Sequence, residues 1–134
     1  MKIFLYYIGK ARDAHANALA GEYIKRSTRF VKCEMREIDP RRVDPFQKNA
    51  LKILLDPAGR ALDSAGFVHL IDKAERDLLF LIGGAEGLPA GWKSRADLLL
   101  QLSALTMPHE LARVVLAEQI YRALTTLRGH PYPR

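Results

Sequence analysis

Two short stretches carry residue types that could do chemistry. The first, LIGGAEGL (Leu81–Leu88), is a glycine-rich turn behind an apolar run that begins at Asp77. A phosphate-cradling P-loop needs a Lys followed by Ser or Thr at a helix start, and a dinucleotide fingerprint needs G-x-G-x-x-G after the first strand. This turn has no lysine, and its glycines are spaced G-G-x-x-G. A phosphate site and a nicotinamide oxidoreductase are therefore poor readings. Glycine still permits positive φ and close backbone approach, so the turn either receives a flat ligand through main-chain N–H and C=O groups or simply bends.

The second stretch is LSALTMPHE (Leu102–Glu110), whose end looks like a helix start: Thr106 is placed to cap and Pro108 to occupy the first turn. His109 and Arg113 then fall four apart on one helical face, next to where a ligand of the first turn would sit. Glu118 and Arg122 repeat that spacing further on and suit an ordinary ion pair. A histidine at a helix start serves structure more often than acid–base work.

The elements that must position these stretches follow from patterning. KIFLYYIG (Lys2–Gly9) and VKCEMREI (Val31–Ile38) read as strands, with a helix between them from Arg12 to about Phe30. Asp44-Pro45 opens a short helix ending near Ala50, LKILLD (Leu51–Asp56) is a third strand, and Pro57 to Leu62 is a loop. Asp63 caps a helix carrying Phe67, Leu70, Ile71 and Ala74 at i, i+3, i+4, i+7. The apolar runs Asp77–Ile82 and Asp97–Leu105 read as centrally placed strands, and Trp92 anchors a short helix or turn between them. A long helix runs from Pro108 to about Arg128, burying Leu116, Ile120, Ala123, Leu124 and Leu127, before the tail GHPYPR. Strands alternating with helices imply an α/β fold with a mostly parallel sheet and helices on both faces. Ligands then bind at the carboxyl ends of strands, which selects Leu55-Asp56, Gly83-Gly84 and Ser103 to Met107.

The 134 residues suit a single domain, residues 1–134. With 49% hydrophobic and 27% charged residues, disorder is excluded as a reading. The longest apolar runs are too short to span a bilayer, and nothing suggests export or a membrane partner. One cysteine, Cys33, leaves no internal disulfide and no cysteine-based metal site, which suits a cytoplasmic protein without a metal. The net charge of +6 is uneven, because residues 1–50 hold eleven Lys/Arg against six Asp/Glu. Lys25, Arg26, Arg29, Lys32, Arg36, Arg41 and Arg42 form either a polyanion-attracting surface or a solvated helix face.

The order and wording of seven segments resemble the RlmH family of SPOUT-class ribosomal RNA methyltransferases. They are YIGK (Tyr7–Lys10), EYIKR (Glu22–Arg26), LLD (Leu54–Asp56), LIGGAEGL, LSALTMPH (Leu102–His109), RVVLAEQIYRA (Arg113–Ala123) and GHPY (Gly129–Tyr132). The likeness covers nearly the whole chain and is densest from Leu81 onward. It implies a C-terminal trefoil knot over about residues 77–134, which connection rules would never propose. It further implies a homodimer, S-adenosyl-L-methionine as cofactor, and methylation of N3 of a pseudouridine in 23S rRNA on the assembled ribosome. Carried over by motif, Leu55 and Gly83 flank the cofactor, and Leu102, Ser103, Ala104, Leu105, Thr106 and Met107 enclose it. Transfer to an imide nitrogen needs a proton acceptor, for which His109 and Glu118 are candidates, and a cation near the carbonyls, for which Arg113 is one. Lys25, Arg26 and Arg29, with His130, Tyr132 and Arg134 of the tail, are the candidate RNA contacts. The segment of about residues 39–51 is shorter than the family's usual helix there. A non-catalytic ribosome-binding or assembly protein is the alternative reading, disfavoured by the intact glycine and LSALTMPH loops.

Overall fold

In the computed structural model, which describes residues 1–132, the five strands are β1 (Lys2–Ile8), β2 (Lys32–Ile38), β3 (Leu51–Ala61), β4 (Leu78–Ile82) and β5 (Leu98–Gln101). They form one sheet in the order β2-β1-β4-β3-β5, and every pairing between them is parallel. The helices are α1 (Ala14–Ser27), α2 (Ser64–Lys73) and α3 (His109–Leu127). Two starts match the capping expected from sequence. Asp63 accepts from the Gly66 N–H ahead of α2, and Asp44 accepts from the Phe46 N–H ahead of the short 3-10 turn Pro45–Gln47. A carboxylate satisfies there one of the N–H groups that a helix start leaves without a partner.

The expectation of helices on both faces is corrected. Ile3 and Leu5 of β1, Ile53 of β3 and Phe80 of β4 pack with Ile24 of α1, Phe67 and Ile71 of α2, and Leu116 and Ile120 of α3 in one core. All three α-helices therefore lie on one face. Phe4, Tyr6, Leu54, Leu79 and Leu81 point the other way, where Trp92 and Phe46, carried beside two 3-10 turns, cover them. The short segment between β2 and β3 leaves room for a turn only, so no long helix covers that face.

Two strand assignments also change. The fourth strand is central and buried throughout, but the fifth sits at the sheet edge beside β3, with Leu98 and Leu99 half-buried. The apolar run after Gln101 leaves the sheet altogether, so its hydrophobicity serves another purpose. The presumed loop Pro57–Leu62 instead continues β3: after Leu55 pairs with Leu100 the chain bulges outward and re-pairs at Arg60, again opposite Leu100. Such bulges re-aim side chains at strand ends. Gly59 permits this one, because a Cβ there would stand 2.7 Å from the Leu99 carbonyl. At the far end of α3, Leu127 is exposed rather than buried. None of the described helices is long and apolar enough to cross a membrane.

Candidate functional site

A cavity of about 610 Å³ opens at the carboxyl ends of β3, β4 and β5. Leu55, Gly83, Leu102, Ser103, Ala104, Leu105, Thr106 and Met107 all line it. His109 and Ala112 of α3 line it too, as do Asp56, Lys93 and Gly87. The residues chosen at three strand ends thus converge on one space, and the apolar run beyond β5 is explained as cavity wall.

Backbone proximity fixes the glycine wall. Gly84 and Gly87 form a tight bridge in which the Gly87 N–H donates to the Gly84 carbonyl at 2.9 Å. Gly87 has a φ of +81°, where a side chain is strained. A Cβ on Gly83 would lie 2.5 Å from the Gly87 carbonyl carbon. Gly83 and Gly87 are therefore required by the turn itself, and the same turn exposes main-chain groups to the cavity. The opposite wall folds over Ser103, whose hydroxyl oxygen accepts from the Leu105 N–H at 2.9 Å, leaving Leu105 79% exposed at the rim. Thr106 does not cap α3: the N-cap is Pro108, which offers no side-chain bond. The positive end of the α3 dipole meets the cavity beside Pro108 and His109.

The ionic candidates do not gather there. Arg113 is only 1% exposed and does not line the cavity. Its guanidinium lies 3.5 Å from the centroid of the Tyr7 ring and donates to Asn17 Oδ1 at 3.2 Å, while its Nε has no partner among the described residues. Burial lowers its pKa from the ordinary value, and a cation so enclosed is a core element between α1, α3 and β1. Spacing placed His109 and Arg113 on one face, but the wall of the cavity ends between them.

Glu118 lies nine residues along α3 from His109, about 14 Å at the helical rise. Its carboxylate accepts from Arg122 Nη2 at 2.8 Å, from Gln119 Nε2 at 3.0 Å and from the Tyr132 hydroxyl at 2.5 Å. The bond to Glu118 raises the Arg122 pKa; burial, then the bond to Glu118, raises that of Tyr132, which stays a neutral phenol. The Tyr132 ring also packs on Tyr121, with centroids 4.8 Å apart. His130 stands edge-on to Phe30 at 6.1 Å. Both tail residues are held by their own chain rather than extended from it, and Arg134 lies outside the described residues.

Lys25, Arg26 and Arg29 are exposed around the carboxyl end of α1. Because α1 and α3 run back along parallel strands, this end and the tail lie at the amino ends of the strands, away from the cavity. Arg128 donates to the Phe30 carbonyl at 3.0 Å and joins the two there. Arg26 is paired with Glu22 at 3.0 Å, and the guanidinium of Arg29 covers Phe30.

Sequence reasoning passed over two features of the cavity end. Lys93 Nζ meets Asp56 Oδ1 at 3.0 Å across the mouth; Asp56 stood at a chosen strand end, while GWK carries no signal for its partner. Glu110 accepts the backbone N–H groups of Arg12 and Asp13, at 2.8 and 3.1 Å, and ties the loop after β1 to the start of α3. Among the described residues, no group of three His, Cys, Asp or Glu is placed to hold a metal ion.

This geometry agrees with what comparison of the chain finds. A family model described as predicted SPOUT methyltransferase matches residues 1–133. A protein of Solibacter usitatus named ribosomal RNA large subunit methyltransferase H is 59% identical over 139 residues, covering 100% of both chains. One of the same name from Rhizobium meliloti is 35% identical over 159 residues, covering 100% of this chain and 99% of its own. In fold, the chain is similar to a probable methylase family protein from Haemophilus influenzae, with a TM-score of 0.64 at 10% identity over 99% of this chain and 70% of that one. It is also similar to the SpoU methyltransferase AviRb from Streptomyces viridochromogenes, solved in complex with AdoMet, with a TM-score of 0.53 at 13% identity, covering 94% of this chain and 61% of that one. The chain belongs to the SPOUT methyltransferase family, among the proteins called ribosomal RNA large subunit methyltransferase H.

Proposed function

We propose that the protein is an S-adenosyl-L-methionine-dependent methyltransferase that modifies N3 of a pseudouridine in 23S rRNA on the assembled ribosome. The observation that carries this reading is the convergence on one cavity of all eight residues assigned to the methyl donor. The names of full-length relatives support the rRNA substrate class. The cavity's size falls within the range of roughly 300–1,000 Å³ typical of small-molecule sites. Its walls offer apolar surface with main-chain donors and acceptors, which fits an adenosyl group.

When bound, the cofactor supplies a methyl group activated on a sulfonium. The chain's residues have three tasks. The glycine turn and the LSALTM wall hold the donor and exclude water, so that orientation replaces a collisional encounter. The rim, with exposed Leu105, receives the target base. A group at the cavity takes the proton from the imide N3 as the new N–C bond forms. His109 is our choice, since it lines the cavity, whereas the Glu118 carboxylate is occupied by Arg122 and Tyr132.

We further infer a homodimer and a knotted C-terminal segment over about residues 77–134. In one protomer the basic and aromatic end lies a helix length from the cavity. A second copy would bring its own end toward the first copy's donor pocket, giving Lys25, Arg26, Arg29, His130 and Tyr132 an RNA to hold. The reading is tested by incubating undermodified ribosomes with the protein and cofactor and mass-mapping the 23S rRNA. One added methyl on a single pseudouridine is expected. Unmodified rRNA despite bound protein would instead favour the non-catalytic ribosome-binding alternative.

A further inference from the structure

The Asp56–Lys93 pair stands at the cavity and does nothing in the scheme above. Asp56 opens the bulge in β3, and its side chain is 8% exposed. Lys93 follows Trp92, which is buried against the helix-free face and fixes the backbone there; the Lys93 side chain is 57% exposed. The two charges sit 3.0 Å apart, and both residues line the cavity. A carboxylate withdrawn from water must keep a cationic partner. A flexible lysine that remains largely solvated is a partner that can be exchanged.

We infer that this pair is the subsite for a zwitterionic amino-acid end: Asp56 takes a ligand's α-ammonium group and Lys93 takes its α-carboxylate. The exchange replaces one opposite-charge contact by two and brings no net charge into the site, so neither protein charge is left unpaired. A sugar diol would satisfy Asp56 through hydrogen bonds but would displace Lys93 without giving it an anion. The inference rests on the donor-pocket reading, because the donor's amino-acid end is the zwitterion in question.

Two nucleosides separate the possibilities. S-adenosylhomocysteine carries the amino-acid end; 5′-methylthioadenosine shares the adenosine and thioether but lacks it. Calorimetry on the wild type, Lys93→Gln and Asp56→Asn should show S-adenosylhomocysteine weakened about tenfold or more in each variant, with 5′-methylthioadenosine within twofold of wild type. Lys93→Gln alters a largely exposed side chain, so it remains informative if Asp56→Asn folds poorly. Equal weakening of both nucleosides, or no change in either, overturns the subsite while leaving the donor pocket standing. Failure of the wild type to bind either nucleoside overturns the donor pocket itself.

Discussion

The two ends of the sheet are built on different principles. At the carboxyl ends of β3, β4 and β5, the cavity is shaped by backbone: a bulge, a glycine bridge and an apolar loop. At the amino ends and along the outer part of α3, side chains dominate, with Glu118, Arg122 and Tyr132 paired to one another and Lys25, Arg26 and Arg29 facing solvent. A donor read by shape needs walls that do not move. An RNA read by charge needs groups that can exchange partners. If that contrast is correct, small steric changes should be severe at the first end and charge changes graded at the second.

The largest effect belongs to Gly83→Ala. The new Cβ meets the Gly87 carbonyl carbon at 2.5 Å, and backbone cannot step aside as a flexible side chain can. We expect loss of S-adenosylhomocysteine binding by about a hundredfold or more, with destabilisation of about 1–3 kcal/mol as in other overpacked sites. Gly84→Ala is the internal control, since its Cβ would stand 3.1 Å from the Ile8 carbonyl oxygen, a milder approach. Calorimetry and thermal melts on both variants check this. Near-wild-type affinity in Gly83→Ala would end the claim that backbone proximity shapes the pocket.

Next come two substitutions that set the ends against each other in turnover. His109→Ala should leave cofactor affinity within a few-fold and reduce methylation about a hundredfold, the lower range for general acid–base catalysis. Glu118→Gln should also leave cofactor affinity intact and reduce methylation by about tenfold, through release of Arg122 and Tyr132 from the charge that holds them. Unchanged turnover in His109→Ala removes it from the mechanism. A loss in Glu118→Gln larger than in His109→Ala would move the proton acceptor to the far end.

The same contrast explains what the sequence could disclose. The succession of strands and helices along the chain and the three strand ends were legible because apolar runs and glycines report backbone demands directly. The place of β5 was not, because the stretch from Leu102 to Met107 is largely apolar for the sake of a cavity, and hydropathy does not distinguish a cavity wall from a central strand. Arg113 was misplaced for a related reason: i, i+4 spacing fixes direction about the helix axis but not where the neighbouring wall ends. Asp56 and Lys93 are far apart in sequence, and neither lies in a pattern that names the other.

The smallest effect concerns a charge that serves backbone at the pocket end. The Glu110 carboxylate accepts the Asp13 and Arg12 N–H groups, which lower its pKa from the ordinary carboxylate value. A group whose folded pKa is depressed contributes stability that is present above its unfolded value, about 4.3, and is lost as pH falls through the folded value. The tie between the loop after β1 and the start of α3 should therefore hold at neutral pH and be lost progressively in acid, as pH falls from the unfolded value through the lower folded one. Glu110→Gln removes the titration while retaining an amide oxygen, and both N–H groups already donate to a single carboxylate oxygen, Oε1. Melting temperatures measured from pH 7 to pH 3 should show the wild type falling more steeply than the variant over the acid part of that range. Asp39, whose pKa is lowered by its bonds to Arg41, titrates in both proteins and cancels in the difference. Parallel curves would mean that the carboxylate's charge contributes nothing to the tie, leaving the pocket end fixed by backbone shape alone.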